Sequence, residues 1–369
     1  MNPIISFPNI SEEGGIYRFT LSGINLSLAN SIRRTILSDI PTLVFYTETY
    51  HDNKCNISIN TSRLHNEIIK HRLSCIPIHS TDLETLPDKY ILEVDVKNDT
   101  ETIMYVTTED FRVRNKENGK YLTQDETRKI FPPCPITRAF IDFVRLRPKI
   151  GDSIPGEQIK LTCDFSISTA GVNSMFNVVS KCSYGNTPDK NKIDDIWEIN
   201  KSKFISEQMS NTEIEFEKRN YYALDSQRQF IPDSFDFVIQ SLGVFDNKDI
   251  VKKACAVLQN KFNDLANAIN DDTVPIKTSE TTVEFSYDIT LENEDYTIGK
   301  VLEYILYEKY YVEEKIFSFC GFKKFHPHNT ESIIRIAYTQ NTDKHLLRQH
   351  VRSACITAQE IYTKIYKMF

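Results

Sequence analysis

Hydrophobic and polar residues alternate in some parts of the chain and recur at helical spacing in others. Strict alternation predicts strands, and it occurs at residues 16–22, 90–96, 159–165, 235–239, 283–291 and 334–338. Spacings of three and four residues predict amphipathic helices, long ones at 247–269 and 343–367 and short ones at 25–39 and 297–309. This mixture indicates an α+β fold built from antiparallel strands and packed helices.

One short helix carries the first candidate site. Residues 25–41 read NLSLANSIRRTILSDIP, in which Asn25 and Ser27 are both candidate N-caps. Pro41 disfavours the helical conformation at the residue before it, so the helix should end there or just earlier. The apolar face of this helix consists of Leu28, Ala29, Ile32 and Ile36.

The other side of the same helix is polar. Asn30 and Arg34 are four residues apart and share that side, and Arg33 flanks the apolar face. A solvated basic edge and an intramolecular salt bridge are the two structural explanations for such arginines. The functional explanation is a protein interface, because guanidinium groups make paired hydrogen bonds to carboxylates and carbonyls.

The chain holds two versions of one plan, each with a strand, a short helix, further strand and a long amphipathic helix. A short polar break at residues 270–275 separates them. Each long helix has an apolar stripe too wide for its own half to cover, and burying one more Leu or Ile contributes about 1.5–3 kcal/mol. The sequence therefore predicts an internal pseudo-dimer. Its predicted core residues are Leu28, Ile32, Ile36, Leu258, Phe262, Val301, Leu302, Ile305, Val351 and Ala354.

These patterns predict three domains. The first dimerisation domain is discontinuous and comprises residues 1–41 and 177–269. A β-rich domain, residues 42–176, is inserted into it, and a second dimerisation domain spans 270–369. The alternative is that the inserted block simply extends one sheet, with the strand at 90–96 hydrogen-bonded into the same sheet as the strand at 16–22.

A short helix is predicted inside the inserted block, within residues 61–78. Its apolar face would contain Leu64, Ile68 and either Ile69 or Leu73. Its polar residues, which invite either a contact role or acid/base and metal chemistry, are His65, Glu67, His71 and Arg72.

The spacing of these polar residues favours a contact role. The two histidines are six residues apart, whereas a helical zinc motif places them four apart, and Glu67 does not directly follow a histidine. A metal-dependent hydrolase built on His65, Glu67 and His71 therefore remains a weak alternative.

A polar segment at residues 186–220 contains the single tryptophan, Trp197. We expect surface loops and helix here, with Trp197 anchoring them to the body of the protein.

Composition and charge narrow the function classes. The 369 residues carry a net charge of −7, which disfavours a protein that binds nucleic-acid phosphates tightly over a broad surface. No apolar run is long enough for a membrane span, and the first residues do not resemble a signal peptide. The eight cysteines are scattered without a C-x-x-C pair, so we expect free thiols and no metal. We therefore expect a protein of the cytosol or nucleus.

Two motifs in this order resemble a known family. LANSIRRTILSDIPT at 28–42 and LHNEIIKHRLSCIPI at 64–78 resemble the signature of the alpha-like subunits of DNA-dependent RNA polymerase. These are the bacterial alpha subunit, the third subunit of RNA polymerase II and the archaeal counterpart of the latter. FDFVIQSLGVF at 235–245 resembles the strand and turn before their long helix. The segments at 288–306 and 321–340 resemble the small partner, which is the eleventh subunit of RNA polymerase II or its archaeal counterpart.

The resemblance implies a non-catalytic assembly platform. Its partners would be the two large catalytic subunits and small polymerase subunits, with DNA reached only through the complex. It implies no catalytic residue, cofactor, small-molecule substrate or membrane. No P-loop, H-E-x-x-H motif, G-x-S-x-G motif or clustered aspartate triplet is present in the sequence, in agreement with that role.

Two departures from the family pattern matter. Cellular relatives make the two partners as separate chains, whereas this chain resembles both, as do the alpha-like subunits of large DNA viruses. A viral origin is therefore implied, with action in the cytosol or nucleus of an infected cell or packaging in the virion. Several family members carry a Cys-rich metal loop or an iron–sulfur site, but only Cys75, Cys134 and Cys163 lie in or near that region here.

By position, the family assigns the polar residues of the two motifs to contacts with large subunits. These residues are Asn30, Arg33 and Arg34, with His65, Glu67 and Arg72 as a second contact or supporting group. For Glu67 and Arg72, an intramolecular salt bridge is an equal alternative. A free-standing regulator that binds polymerase subunits through the same fold is the other functional alternative.

Overall fold

The computed structural model describes residues 3–6, 12–151, 153–280 and 282–369. Parts of the predicted first domain, residues 1–2 and 7–11, lie outside the described residues. The helices are α1 (Leu26–Ser38), α2 (Asn66–Ser74), α3 (Thr85–Lys89), α4 (Gln124–Ile130), α5 (Lys190–Ser206), α6 (Asn211–Ala223), α7 (Asn247–Asn270), α8 (Tyr296–Leu306) and α9 (Lys344–Tyr366). A π-helical turn at Tyr307–Glu313 follows α8.

Most strands are short, and the pairings whose opposite residues are named below are antiparallel. The first eight are β1 (Ile4–Ser6), β2 (Glu12–Glu13), β3 (Ile16–Ser22), β4 (Thr42–Val44), β5 (Cys55–Asn60), β6 (Tyr90–Lys97), β7 (Met104–Thr107) and β8 (Arg112–Asn115). The others are β9 (Asp142–Leu146), β10 (Gln158–Asp164), β11 (Ser166–Ser168), β12 (Val179–Pro188), β13 (Phe230–Ser241), β14 (Ile276–Thr278), β15 (Ser286–Glu292), β16 (Phe317–Lys323) and β17 (Glu331–Tyr338). The mixture of helices and antiparallel strands confirms the predicted α+β class.

The chain divides into two compact units. Unit 1 contains the described part of Met1–Thr35 together with Lys181–Gln240 and Val251–Phe369. Unit 2 contains Ile36–Ser180 and Ser241–Ile250. Unit 1 thus includes residues from both predicted halves, and unit 2 includes the predicted inserted block. The exact boundaries at 41–42, 176–177 and 269–270 stay predictions.

Two sheets lie in unit 1. The first has the order β1-β3-β13-β12, and its β3–β13 pairing sets Phe237 opposite Phe19 and Phe235 opposite Leu21. The second has the order β14-β15-β17-β16 and sets Ile289 opposite Ile334. Successive side chains of each strand project to opposite faces of its sheet, and the apolar ones share the buried face, as the period-two pattern predicts.

All ten predicted core residues are buried, and they lie on helices α1, α7, α8 and α9. Tyr362 of α9 joins two of the other helices. Its ring stacks on Phe262 of α7 with centroids 5.9 Å apart, and its hydroxyl lies 2.6 Å from the Ser31 hydroxyl of α1. These contacts link residues from both predicted halves within one unit.

Unit 2 has its own hydrophobic core under a four-stranded sheet of order β5-β10-β6-β8. Two smaller pairs, β4–β11 and β7–β9, complete its strands. The strand predicted at 16–22 is β3 and that predicted at 90–96 is β6, and they lie in different sheets. The alternative of one continuous sheet is therefore not what the structure shows.

Several local expectations were wrong. Ile68 is 49% exposed, and α2 is buried through Ile69 and Leu73, because the helix begins only at Asn66. The strand predicted from residue 283 begins at Ser286, since Phe285 adopts a positive φ of 50° that an extended strand does not allow.

The polar segment around Trp197 forms the helical pair α5 and α6. Trp197 packs against Ile193 of its own helix and against Ile214 and Tyr221 of α6, in a small cluster confined to these two helices and their connection. It therefore holds the two helices to each other and does not anchor loops to the body, which corrects the expectation from the sequence.

Candidate subunit interface

Helix α1 positions the first group of candidate residues. The Asn25 side chain accepts a hydrogen bond from the Ser27 amide at 2.9 Å, so Asn25 and not Ser27 caps the helix. Leu28, Ile32 and Ile36 are at most 1% exposed, which fixes the rotation of the helix. The polar side then projects Asn30, Arg33 and Arg34, all half-buried.

Arg33 is oriented by a residue of its own helix. Its Nε and Nη2 atoms donate to Asn30 Oδ1 at 3.1 and 3.0 Å. The Nη1 atom has no acceptor among the residues that the structure describes. Asn30 therefore holds the guanidinium in one orientation, with donors still available to a partner.

Arg34 makes a contact within the chain. Its Nε atom donates to Thr297 Oγ1 at 2.9 Å, and its Nη2 atom forms an ion pair with Asp295. Both acceptors lie in the other predicted half, at the start of α8. The intramolecular salt bridge considered from the sequence is thus present at Arg34, whose side chain is still about one-third exposed.

Asp295 is a residue that the sequence did not single out. It is the N-cap of α8, and its carboxylate accepts a hydrogen bond from the Thr297 amide at 2.8 Å. Burial opposes ionisation of Asp295, but the hydrogen bonds from Thr297 and the charge of Arg34 outweigh it and lower the pKa of the carboxyl group. The carboxylate therefore stabilises the start of α8 and neutralises Arg34.

Helix α2 positions the second group, in unit 2. His65, Glu67, His71 and Arg72 are all exposed. Arg72 donates to the carbonyl oxygens of Phe143 at 2.8 Å and Asp142 at 2.7 Å, which ties α2 to β9. Glu67 has no ion pair among the described residues, so the predicted alternative of a Glu67 or Arg72 salt bridge is not observed there.

The polar residues of α2 do not assemble a hydrolytic site. Glu67 and His71 line a cleft of about 390 Å³ with Lys70 and the segment 47–53, but His65 is not part of its lining. In the described parts of the chain, no group of three or more His, Cys, Asp or Glu residues is placed to hold a metal ion. The geometry therefore gives the hydrolase alternative no support.

Beside α2 lies a feature that the sequence analysis missed, which we term the arginine groove. It has a volume of about 490 Å³ and is lined by apolar Ile103 and Tyr105 and by four arginines, Arg63, Arg72, Arg145 and Arg147. Arg147 is paired with Glu157, whereas the side chains of Arg63 and Arg145 have no partner among the described residues. The basic run RLRPK at 145–149 was the available sequence signal.

The comparisons with known proteins agree with these motifs. The sequence profile of the RNA polymerase Rpb3/Rpb11 dimerisation domain matches residues 18–262. The chain belongs to this family. The match includes α1, α2 and most of α7, and the resemblance to alpha-like RNA polymerase subunits is confirmed.

Individual relatives show the same family at low identity. A DNA-directed RNA polymerase subunit Rpo3 of Pyrococcus horikoshii is 24% identical over 68% of this chain and 92% of its own length. DNA-directed RNA polymerase II subunit RPB3 of Schizosaccharomyces pombe is 34% identical over 22% of this chain and 25% of its own. A conjugation stage-specific protein of Tetrahymena thermophila is 21% identical over 69% and 91%.

None of the helices described here is long and apolar enough to cross a membrane.

The two groups of candidate residues lie in different compact units. Asn30, Arg33 and Arg34 lie in unit 1, and His65, Glu67 and Arg72 lie in unit 2. Their role as subunit contacts stays a prediction.

Proposed function

We propose that this alpha-like polymerase subunit is a non-catalytic assembly platform for the two large catalytic subunits, with both members of the alpha-like pair in one chain. One observation carries the proposal: residues 270–369 pack with residues of the first half inside unit 1. Arg34 pairs with Asp295, and Tyr362 contacts both Ser31 and Phe262. In this arrangement the last hundred residues serve as the small partner.

Purification from the native source at high salt tests this role. A core subunit stays with both large subunits in fixed stoichiometry, because a platform is buried within the assembly. A free-standing regulator, the alternative function, would be lost or substoichiometric at the same salt concentration. A chain that hydrolyses substrates alone, and loses that activity in His71→Ala, would contradict both.

The polar side of α1 supplies the contact with a large subunit in this proposal. Arg33 is the better probe of it, because Arg34 also holds Asp295 and its loss would disturb the fold. Arg33→Ala should leave the chain folded and weaken its association with the large subunits by about 2–5 kcal/mol. Co-expression followed by affinity capture measures this loss.

Arg18→Ala is the matched control for Arg33→Ala. Arg18 is an exposed arginine of β3 in the same unit, so its removal changes the charge equally without touching α1. Equal incorporation of both variants would contradict the interface role. Normal assembly of Arg33→Ala with weaker, less salt-dependent DNA binding by the polymerase would show instead that the arginine contacts phosphate.

The viral setting is part of the same proposal. The resemblance of this one chain to both partners supports it, because cellular relatives keep the two partners as separate chains. We place the protein at viral transcription sites in the cytosol or nucleus of an infected cell, or in the virion. Detection of the chain in purified virus particles by mass spectrometry would show packaging in the virion, and its absence from them would favour action only in the infected cell.

A further inference from the structure

Two cysteines face each other across adjacent strands of unit 2. Cys55 is the first residue of β5, the edge strand of its sheet, and Cys163 lies directly opposite it in β10. Opposite residues of an antiparallel pair project to the same face, and both side chains are buried, at 2% and 0% exposure. The Cys163 thiol donates a hydrogen bond to the Asp164 carbonyl oxygen at 3.5 Å.

This register matches the geometry of a disulfide. Directly opposed residues in antiparallel strands have Cα atoms about 4.5–5.5 Å apart, and disulfides span Cα separations of about 4.4–6.8 Å. No change of strand register is therefore needed to join the two sulfur atoms.

The other cysteines provide contrasts. Burial alone raises the pKa of Cys255 to about 12, and its side chain lies in the helical core of unit 1. Cys75 and Cys134 are exposed but lie in a helix cap and a loop. Cys55 and Cys163 are the pair that strand pairing sets face to face.

The surroundings favour the thiolate form at Cys55. The adjacent Cys163 thiol lowers the pKa of the Cys55 thiol and the Lys70 ammonium lowers it further, whereas the contact with Cys55 and burial raise the pKa of the Cys163 thiol. Lys70 also lines the cleft formed with segment 47–53, which leads into Cys55 along the chain. Opening at the start of an edge strand requires few broken contacts, so this end of β5 offers a route for a small reagent.

We propose that Cys55 and Cys163 form a two-cysteine site that reacts with small-molecule disulfides and closes into a reversible cross-strand disulfide. The Cys55 thiolate attacks one sulfur of the reagent, the reagent's S–S bond breaks, and one thiolate leaves and takes up a proton. Cys163 then loses its proton to solvent and attacks the Cys55 sulfur, releasing the second thiol. Two protein thiols are oxidised and one reagent disulfide is reduced to two thiols.

The bond would fasten the edge strand to its neighbour. It would close a loop of about 100 residues, which in the chain-entropy account restricts the unfolded state strongly. We expect the melting temperature of the oxidised protein to rise by about 5–15 °C. This inference is independent of the proposed polymerase role.

The test uses the full-length chain with Cys75→Ser and Cys134→Ser, which removes the two exposed thiols. After incubation with glutathione disulfide, intact-mass measurement should show the loss of two hydrogen atoms. Peptide mapping should join Cys55 to Cys163, and dithiothreitol should reverse both the mass change and the higher melting temperature.

Single Cys55→Ala and Cys163→Ala variants in this background are the controls, since alanine keeps the site apolar. Cys163→Ala should stop at one glutathione attached to Cys55. Accumulation of that mixed disulfide in the parent protein would overturn the proposal, as would a bond to any other cysteine. No reaction of the folded protein within a day, with ready reaction after denaturation, would also overturn it.

Discussion

Units 1 and 2 bury their apolar side chains in different ways. The core of unit 2 is built from residues between Leu43 and Phe165, in one continuous part of the chain. The helical core of unit 1 joins distant parts, since Ser31 and Tyr362 are 331 residues apart in sequence. The difference teaches that the core of unit 2 closes within one continuous segment, whereas unit 1 combines residues 270–369 with residues of the first half.

Separate expression of the two segments should give the largest contrast. Residues 36–180 should be soluble and unfold cooperatively, because their core is closed within the segment. Residues 270–369 should aggregate or self-associate, because Val351 and Ala354, both buried in the whole chain, would be exposed. Circular dichroism measures the folding of each segment, and light scattering measures its association. An unfolded or aggregated segment 36–180 together with a folded, monomeric segment 270–369 would contradict this contrast between the two units.

A charged residue placed in the helical core of unit 1 should have the next largest effect, a loss of folding stability. Leu258 is fully buried in α7, so Leu258→Asp places an unpaired carboxylate in the core and should cost more than about 4 kcal/mol of stability. Leu346→Asp is the matched control, because Leu346 is 42% exposed on α9. Chemical unfolding measures the free energy of unfolding of both variants. Similar losses of stability in the two variants would show that the apolar stripe of α7 does not form part of a core.

The Arg34–Asp295 contact should give a smaller, pH-dependent effect. The pKa of Asp295 is lowered in the folded protein, so the unfolded chain binds more protons as the pH falls. Its contribution is therefore complete above the unfolded pKa of about 3.9 and is lost as the pH falls through the folded pKa. Asp295→Asn, which can still cap α8, should be less stable than the wild type at pH 7.

The difference between Asp295→Asn and the wild type should narrow below about pH 4, as the wild-type carboxyl group becomes protonated. Urea unfolding at several pH values measures it. A difference that stays constant or widens at low pH would show that the Asp295 charge does not stabilise the link between the halves.

Sequence patterns predicted the two longest helices, α7 and α9, well because each carries a long apolar stripe. The expected helix at 247–269 is Asn247–Asn270, and that at 343–367 is Lys344–Tyr366. The partner of Arg34 could not be predicted in the same way, since Asp295 is 261 residues away and only tertiary structure brings them together.

Other features were within reach of the sequence but were missed. Thr123 with Glu126 and Ser210 with Glu213 form capping boxes that begin α4 and α6. The pattern S/T-x-x-E is visible in the sequence, and it would have predicted both helices. The arginine groove depends instead on pairing between β7 and β9, which sets Tyr105 opposite Arg145.

Cleavage between the two halves tests the intramolecular pair most directly. The turn at residues 271–273 is exposed, so a protease site inserted there leaves α7 and β14 intact. After cleavage, both fragments should elute together at the volume of the uncut chain and separate only in denaturant. Two soluble, independent monomers would contradict the account.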